Sequence, residues 1–290
     1  MEAAATCAGL DASHESALAR ARMDLPGQGP ALVCNWLSAL FIHFECDPAL
    51  LQADVPFPLH LRHGRAYVSL VAFTIHRLRP MLLSPARLKD SDRGIRPAVG
   101  AYSSDAIATL DSIGGRLGEL AFWPVGTHGF LNVRTYVEYN GEPGIHFIVE
   151  WLPNRLSVLL GPWMYGLPYN FGSLDYDHDE KRNDLRGRVR GANGLELSYS
   201  GAMKSPLHPS VAGTLPHFLL ERYTAFTSRG KTKRLFRVWH EPWQQADVDI
   251  TLHDTALLRS RCRWFDSARL IGANFSPGVK DVWMSAPRKL

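Results

Sequence analysis

The chain has 290 residues, 46% hydrophobic and 21% charged, and a globule of this size buries about three quarters of the surface of its unfolded chain, so a substantial core is available. No stretch approaches the ~18 consecutive apolar residues of a membrane span, and a net charge of +4 is a mild excess spread along the chain. These features predict a soluble protein with neither a membrane nor a nucleic-acid partner.

Residues 1–29 contain Asp11, Glu15 and Asp24 and no apolar h-region, so they do not read as a secretory signal. They are expected to form a disordered or loosely docked leader to one domain over 30–290. Val33 to Cys46 reads as a strand, with Leu40, Ile42 and Phe44 on one face and Phe41, His43 and Glu45 on the other. Asp47 and Pro48 then supply an N-cap and a first-turn proline for a short helix through Ala53. Leu59–Arg62, a His63-Gly64 turn and Ala66–Arg77 predict a hairpin whose second arm is apolar on both sides and therefore central. Residues 84–128 read as an insertion between two β units, with a helical pattern from Ser104 to Leu120.

Asn132 to Tyr139 and Ile145 to Trp151 form the next hairpin. Strand alternation places Asn132, Arg134, Tyr136 and Glu138 on one face. If Asn140–Gly144 close as a five-residue turn, Tyr139 pairs with Ile145, Arg134 faces Glu150 and Glu138 faces His146; a slip of one residue undoes these pairings. Asn154 to Tyr165 reads as a helix kinked or ended by Pro162. Strands follow at Phe171–Tyr176, Asp184–Arg190 and Leu195–Ser200, and a helix capped by Thr214 spans Leu215–Phe226. The last strands fit Arg234–His240, Ala246–Leu252, Leu257–Trp264 and Val279–Met284. Many strands joined by short turns, with few helices, predict a mainly β protein built on a curved antiparallel sheet or barrel.

Several residues could carry chemistry. On the predicted helix, Arg222 falls inside the stripe of Leu215, Phe218, Leu219, Tyr223 and Phe226, and a buried guanidinium requires an anion, either an internal Asp or Glu or a ligand carboxylate. Arg134, flanked by the donors Asn132 and Tyr136, could orient a small acid or carbonyl compound, or could form a surface pair with Glu150. His240, on the Phe236-Val238-His240 face, is either a hydrogen-bonded core residue or an acid/base group. His43 with Glu45 is too small a set for a metal. Asp175–Asp179 begins like a calcium loop, but Glu180 stands where glycine belongs and Arg186 where the bidentate Glu belongs, so it reads as a solvated loop.

Cys7, Cys34, Cys46 and Cys262 have no CxxC pair and no metal-type spacing, which predicts reduced thiols and a cytoplasmic location. There is no Gly-x-Ser-x-Gly elbow, and all seven lysines lie in polar or turn contexts rather than in apolar runs that would activate an amine. The basic clusters Lys181–Arg190 and Arg229–Arg237 lack interleaved aromatic platforms. Neither a cofactor nor a metal is expected.

Four segments together carry a resemblance: Asn132-Val133-Arg134-Thr135-Tyr136-Val137, Gly166-Leu167-Pro168-Tyr169, Gly213 through Tyr223, and His240-Glu241-Pro242-Trp243. In this order, from about Asn35 to about Trp283, the chain resembles the uncharacterised YqjF-like family of the acetoacetate decarboxylase-like superfamily. That resemblance implies a cone-shaped, barrel-like antiparallel core with a central cavity and outer helices. Acetoacetate decarboxylases use a Schiff-base lysine in a Gly-x-Pro-Lys context, and Tyr169 stands at the corresponding place here. Phe130 likewise stands where relatives often carry an acidic residue. The first departure implies that decarboxylation through an imine is absent, and the second that an acid/base role at Phe130 is absent.

The leading expectation is a barrel binding a small carboxylate or carbonyl compound through Asn132, Arg134, Tyr136 and Arg222, beside Glu150 and Tyr169. Two alternatives stand next to it: a lyase or hydrolase using Glu150, Tyr169 or His240 as acid/base groups, and an interaction module in which both arginines only staple the fold. The sequence leaves the oligomeric state open.

Overall fold

Alternation along three long strands organises the molecule. In the computed structural model, which describes residues 11–81 and 122–290, β1 spans Pro30–Cys46, β2 Ala66–Pro80 and β3 His128–Tyr139. Each sends side chains into two different cores. Leu40, Ile42, Val68, Leu70, Leu131 and Val133 enter one, whereas Phe41, Val71, Phe73, Phe130 and Tyr136 enter the other. Burial on both faces is why β2 reads as a continuous apolar run.

β12 (Arg269–Ser285), β1, β2, β3 and β4 (Glu142–Leu152) form a common spine, which forks at its edges. One branch runs through β5 (Tyr169–Asp179), β6 (Asp184–Gly191), β7 (Glu196–Met203) and β11 (Gln244–Asp254). It returns to β12 where Ala246–Val248 pair with Ala273–Phe275. The other runs through β9 (Thr224–Arg229) and β10 (Thr232–Trp239), which rejoins β12 at Val238–Met284 and Trp239–Trp283. The sheet is therefore curved and closed on itself around two cores. Two short strands, β8 (His208–Pro209) and β13 (Arg288–Lys289), extend its edges. The pairings are antiparallel as expected, except that β4 runs parallel to both β5 and β9.

Local chemistry explains the helices. In α2 (Pro48–Asp54), Asp47 accepts from the Ala49 and Leu50 N–H groups, and Pro48 occupies the first turn, where its missing N–H costs nothing. Asp47→Ala should therefore lower stability by about 1 kcal/mol, read as a reduced urea midpoint. In α3 (Arg155–Met164), Asn154 caps the Ser157 N–H and Pro162 lies inside the last turns.

Several expectations are corrected. Part of the expected leader is structured: α1 (Ala12–Met23) buries Ala12, Ser16, Ala19 and Met23, and Arg20 lies over the rings of Trp239 and Trp283. The arm Leu59–Arg62 does not pair along β2. It makes one bridge across its turn, Arg62 to Arg65, and otherwise lies on β3, where Leu59 bridges Val137. The helix capped by Thr214 ends early, as α4 (Leu215–Leu220), because the β-branched and aromatic run from Thr224 enters the sheet as β9. The segment Leu257–Trp264 is not a strand but a helical turn at Ala256–Arg259 and a 3-10 turn at Arg263–Ser267. The acidic run Asp175–Asp179 is the end of β5 rather than a loop, and Arg182 beyond it pairs with Asp177 and Asp179. The Ser104–Leu120 helix lies outside the described residues.

The β3–β4 register also differs from the expected one. Asn140 (φ 53°) and Gly141 (φ 75°) both adopt the left-handed region, closing a two-residue turn that pairs Tyr139 with Glu142. An extra residue in β4, Ile148, then shifts the ladder between the Arg134–Phe147 and Val133–Val149 pairs. Glu150 consequently faces Asn132 rather than Arg134, and His146 faces Thr135 rather than Glu138.

Candidate functional site

The second core contains a cavity of ≈ 80 Å³, room for roughly five to eight water-sized groups. Its walls are mostly aromatic and aliphatic, including Trp36, Phe41, Phe73, Phe130 and Trp243. Into this apolar space project Asn132 and Arg134 from β3, Glu150 from β4, Tyr169 from the start of β5, and Arg222 and His240 from the segments flanking β9 and β10. The two pairings of β4 align three of these in a row, because Glu150 lies between Asn132 on one side and Tyr169 on the other.

Arg134 and Arg222 dominate the electrostatics. Arg134 Nη2 donates to the Leu219 carbonyl at 2.9 Å, while its buried Nε has no partner. Arg222 Nε and Nη2 are likewise buried without a partner, and its guanidinium rests 4.2 Å from the Phe218 ring centroid and 5.5 Å from that of Tyr136. Burial lowers the Arg222 pKa to about 10, which leaves it cationic at neutral pH. Glu15 of α1 attracts it electrostatically without a hydrogen bond between them. Among the described residues no carboxylate forms a hydrogen bond or ion pair with Arg222, which reaches the cavity from an extended segment rather than from a helix face.

Glu150 does not fill that role. Burial raises its pKa well above the ordinary carboxylate value, so the side chain favours the neutral acid, and its Oε2 has no partner. Burial, reinforced by Glu150, also raises the Tyr169 pKa, which keeps the phenol protonated. His240 is neutral, its pKa lowered to about 4 chiefly by burial. Its Nδ1 lies 2.8 Å from the Glu241 carbonyl oxygen, and its ring stacks on Tyr223. The cavity therefore offers two cations, neutral donors at Glu150 and Tyr169, and no counter-anion.

Tyr136 belongs to a supporting layer rather than to the cavity wall. Its single hydroxyl proton is shared between the Leu219 carbonyl, 3.0 Å from the phenol oxygen, and Ser69 Oγ, 2.5 Å from it. Ser69 is 2.7 Å from His43 Nδ1, and His43 Nε2 is 3.0 Å from Asn274 Oδ1. The Asn274 amide nitrogen donates to Gln245 and Asp247, so its oxygen faces the ring, His43 Nε2 carries the proton and Nδ1 accepts from Ser69. This chain fixes Leu219 and, through its carbonyl, Arg134. Ser69 and Asn274 were not found from sequence, although a lone serine inside the apolar run Ala66–Ile75 is a usable signal.

Among the described residues no group of three or more His, Cys, Asp or Glu is placed to hold a metal, and Cys34, Cys46 and Cys262 are free and buried. Among the described residues no lysine lines the cavity. No helix among the described residues is long and apolar enough to cross a membrane.

Residues 34–91 and 115–279 match the model of DUF2071, an uncharacterized conserved protein family. The chain belongs to the DUF2071 family. This DUF2071 chain is 27% identical over 226 residues to the uncharacterized protein YqjF of Bacillus subtilis, covering 76% of this chain and 77% of YqjF. Its fold is that of the acetoacetate decarboxylase-like proteins. Acetoacetate decarboxylase from Legionella pneumophila superposes with a TM-score of 0.55 at 13% identity, over 90% of this chain and 87% of that one. The enduracididine biosynthesis enzyme MppR, in complex with pyruvate, superposes with a TM-score of 0.52 at 12% identity, over 90% of each chain. These likenesses agree with the fold that the resemblance implied.

Proposed function

We propose that this DUF2071 protein binds a small carboxylate, with or without an adjacent carbonyl, in the aromatic cavity, and does so without imine chemistry. One observation carries the reading: two guanidinium groups present buried, unpartnered N–H donors around a cavity whose own carboxyl group is held neutral. An unpaired buried cation is costly, and a ligand carboxylate arriving between planar donor forks offsets that cost with charge-assisted hydrogen bonds. The neutral Glu150 and Tyr169 can donate to a carbonyl oxygen on the same molecule. Among the described residues no lysine lines the cavity, so none of them supplies the amine that a decarboxylase mechanism requires.

A thermal-shift panel of short carboxylates, 2-oxo acids and aldehydes tests this. An acid present at ~100 times its dissociation constant adds about 2.7 kcal/mol, a shift of several degrees for a chain of this length. The shift should be confined to acids and should vanish in Arg134→Ala. A response to aldehydes alone, or one that survives the substitution, would remove the carboxylate from the proposal.

A further inference from the structure

The aromatic wall of the cavity is shared with a second chamber. A space of ≈ 140 Å³ lies beneath α3, and six residues, Ile75, Phe130, Leu167, Tyr169, Phe236 and Met284, line both. Its remaining wall includes Leu32, Leu78, Phe122, Val125, Leu160 and Met164, and no charged side chain reaches it. Its one titratable ring beyond the tyrosines, His128, is kept neutral by burial, with a pKa lowered to about 4. The Tyr165 O–H is turned away to the Ser285 carbonyl at 3.2 Å. The two chambers thus share a wall but are chemically opposite, one bearing cations and the other mostly apolar, with the ring nitrogens of His128 among its few polar groups.

At their junction the Phe130 and Tyr169 rings stand with centroids 5.6 Å apart. Tyr169 is seated against α3 at Gly161, where an added Cβ would come within 2.2 Å of the ring, so glycine is what lets the helix approach this closely. α3 contributes Leu160, Gly161 and Met164 to the chamber and has no fully buried residue of its own.

We propose that the ligand is an amphiphilic acid, its carboxylate held by Arg134 and Arg222 and an alkyl or aryl tail of about six to ten carbons entering the chamber beneath α3 by parting the contact between the Phe130 and Tyr169 rings. This rests on the carboxylate reading above and adds the tail. A short acid fills only the charged chamber and leaves the larger apolar one to water or empty, whereas a tail removes apolar wall from water with each methylene it adds.

Isothermal titration of a straight-chain 2-oxo acid series, from pyruvate to 2-oxotetradecanoate, tests the tail on the full-length protein. Affinity should rise about fourfold per methylene through the middle of the series, the equivalent of about 0.8 kcal/mol each, and level off once the chamber is full. Leu160→Trp should abolish the gain with length while leaving pyruvate binding unchanged. Met164→Trp, on the same wall and also partly exposed, serves if the first variant does not fold. A flat series with Arg134-dependent pyruvate binding would overturn the tail and leave the carboxylate site standing. A gain with length that both tryptophan variants retain would also overturn it, because the tail would then lie elsewhere. No binding along the whole series would overturn the carboxylate reading itself, and the tail with it.

Discussion

Arg222→Met is expected to give a protein that has lost affinity for carboxylates yet unfolds at a higher temperature than the parent chain. The two effects share one cause. The Arg222 guanidinium is desolvated enough to lower its pKa to about 10, and two of its nitrogens have no partner. Removing a buried charge partner from a bound acid costs about 2–5 kcal/mol, or roughly thirtyfold to several-thousandfold in affinity. In the empty protein the same change removes a buried cation that Glu15 attracts without a hydrogen bond, and supplies an apolar chain of similar length, stabilising by roughly 1–4 kcal/mol. Loss of the cation–π contacts with Phe218 and Tyr136 offsets about 1 kcal/mol of that gain. Scanning calorimetry with and without ligand reads both effects on one sample. A variant much less stable than the parent would show that Arg222 is a structural staple, the interaction-module alternative.

The second large effect is acid lability. Burial lowers the pKa of His43 to about 3 and those of His146 and His240 to about 4. Each ring stays neutral in the fold but takes up a proton in the unfolded chain once the pH drops below about 6.5, so the stability it contributes is complete above that value and is lost as the pH falls toward its folded pKa. The slope is ~1.4 kcal/mol per pH unit for each group. Glu150 and Glu221 act in the opposite sense. Burial raises both, Glu221 to about 7 despite hydrogen bonds from Tyr223, Ser210 and the Trp243 N–H, so their contribution is complete below pH ~4.5 and lost as the pH rises. Between pH 6.5 and 4.5 four histidines, His128 with its pKa of about 4 included, act against two carboxyls, so the net effect of lowering the pH is a loss of stability. Below pH 4.5 the carboxyls no longer compensate and the loss steepens. Urea midpoints should fall across this window, His240→Gln should flatten the fall, and Glu150→Gln should raise the midpoint at neutral pH. A midpoint that holds steady from pH 7 to 4 would mean that these histidines are not buried neutral.

How much of this was legible in the sequence depended on whether a local pattern had a rival. β1 was readable from the alternation of its two faces, and β2 from an apolar run long enough for a doubly buried strand. Arg134 was placed on the correct face of β3 by alternation alone, since no change of register can move it off Asn132's side. Its partner could not be placed that way. The Asn140-Gly141 turn is a strong local signal that a longer loop obscured, whereas the extra residue at Ile148 has no local signature and is set by the neighbouring strands. Arg222 was recognised as an anomaly for a reason that survives, an apolar setting for a cation, on an element that does not. The helical stripe Leu215, Phe218, Leu219 runs on numerically into Tyr223 and Phe226, and only the pairing of β9 with β10 and β4 decides that the chain is extended there. Leu257–Trp264 shows the same indeterminacy. The meeting of β3, β4, β5 and the flanks of β10 around one cavity is a tertiary fact with no local trace.

β1 lies between β2 and β12, with Pro30 set against Ser285, so the first long strand and the last are neighbours at the heart of the spine. Synthesis on the ribosome therefore exposes one whole edge of β1 until β12 has emerged, and neither branch of the sheet can close before then. Such a high contact order predicts slow folding, with the uncovered β1 edge as the place where nascent chains would pair wrongly with one another.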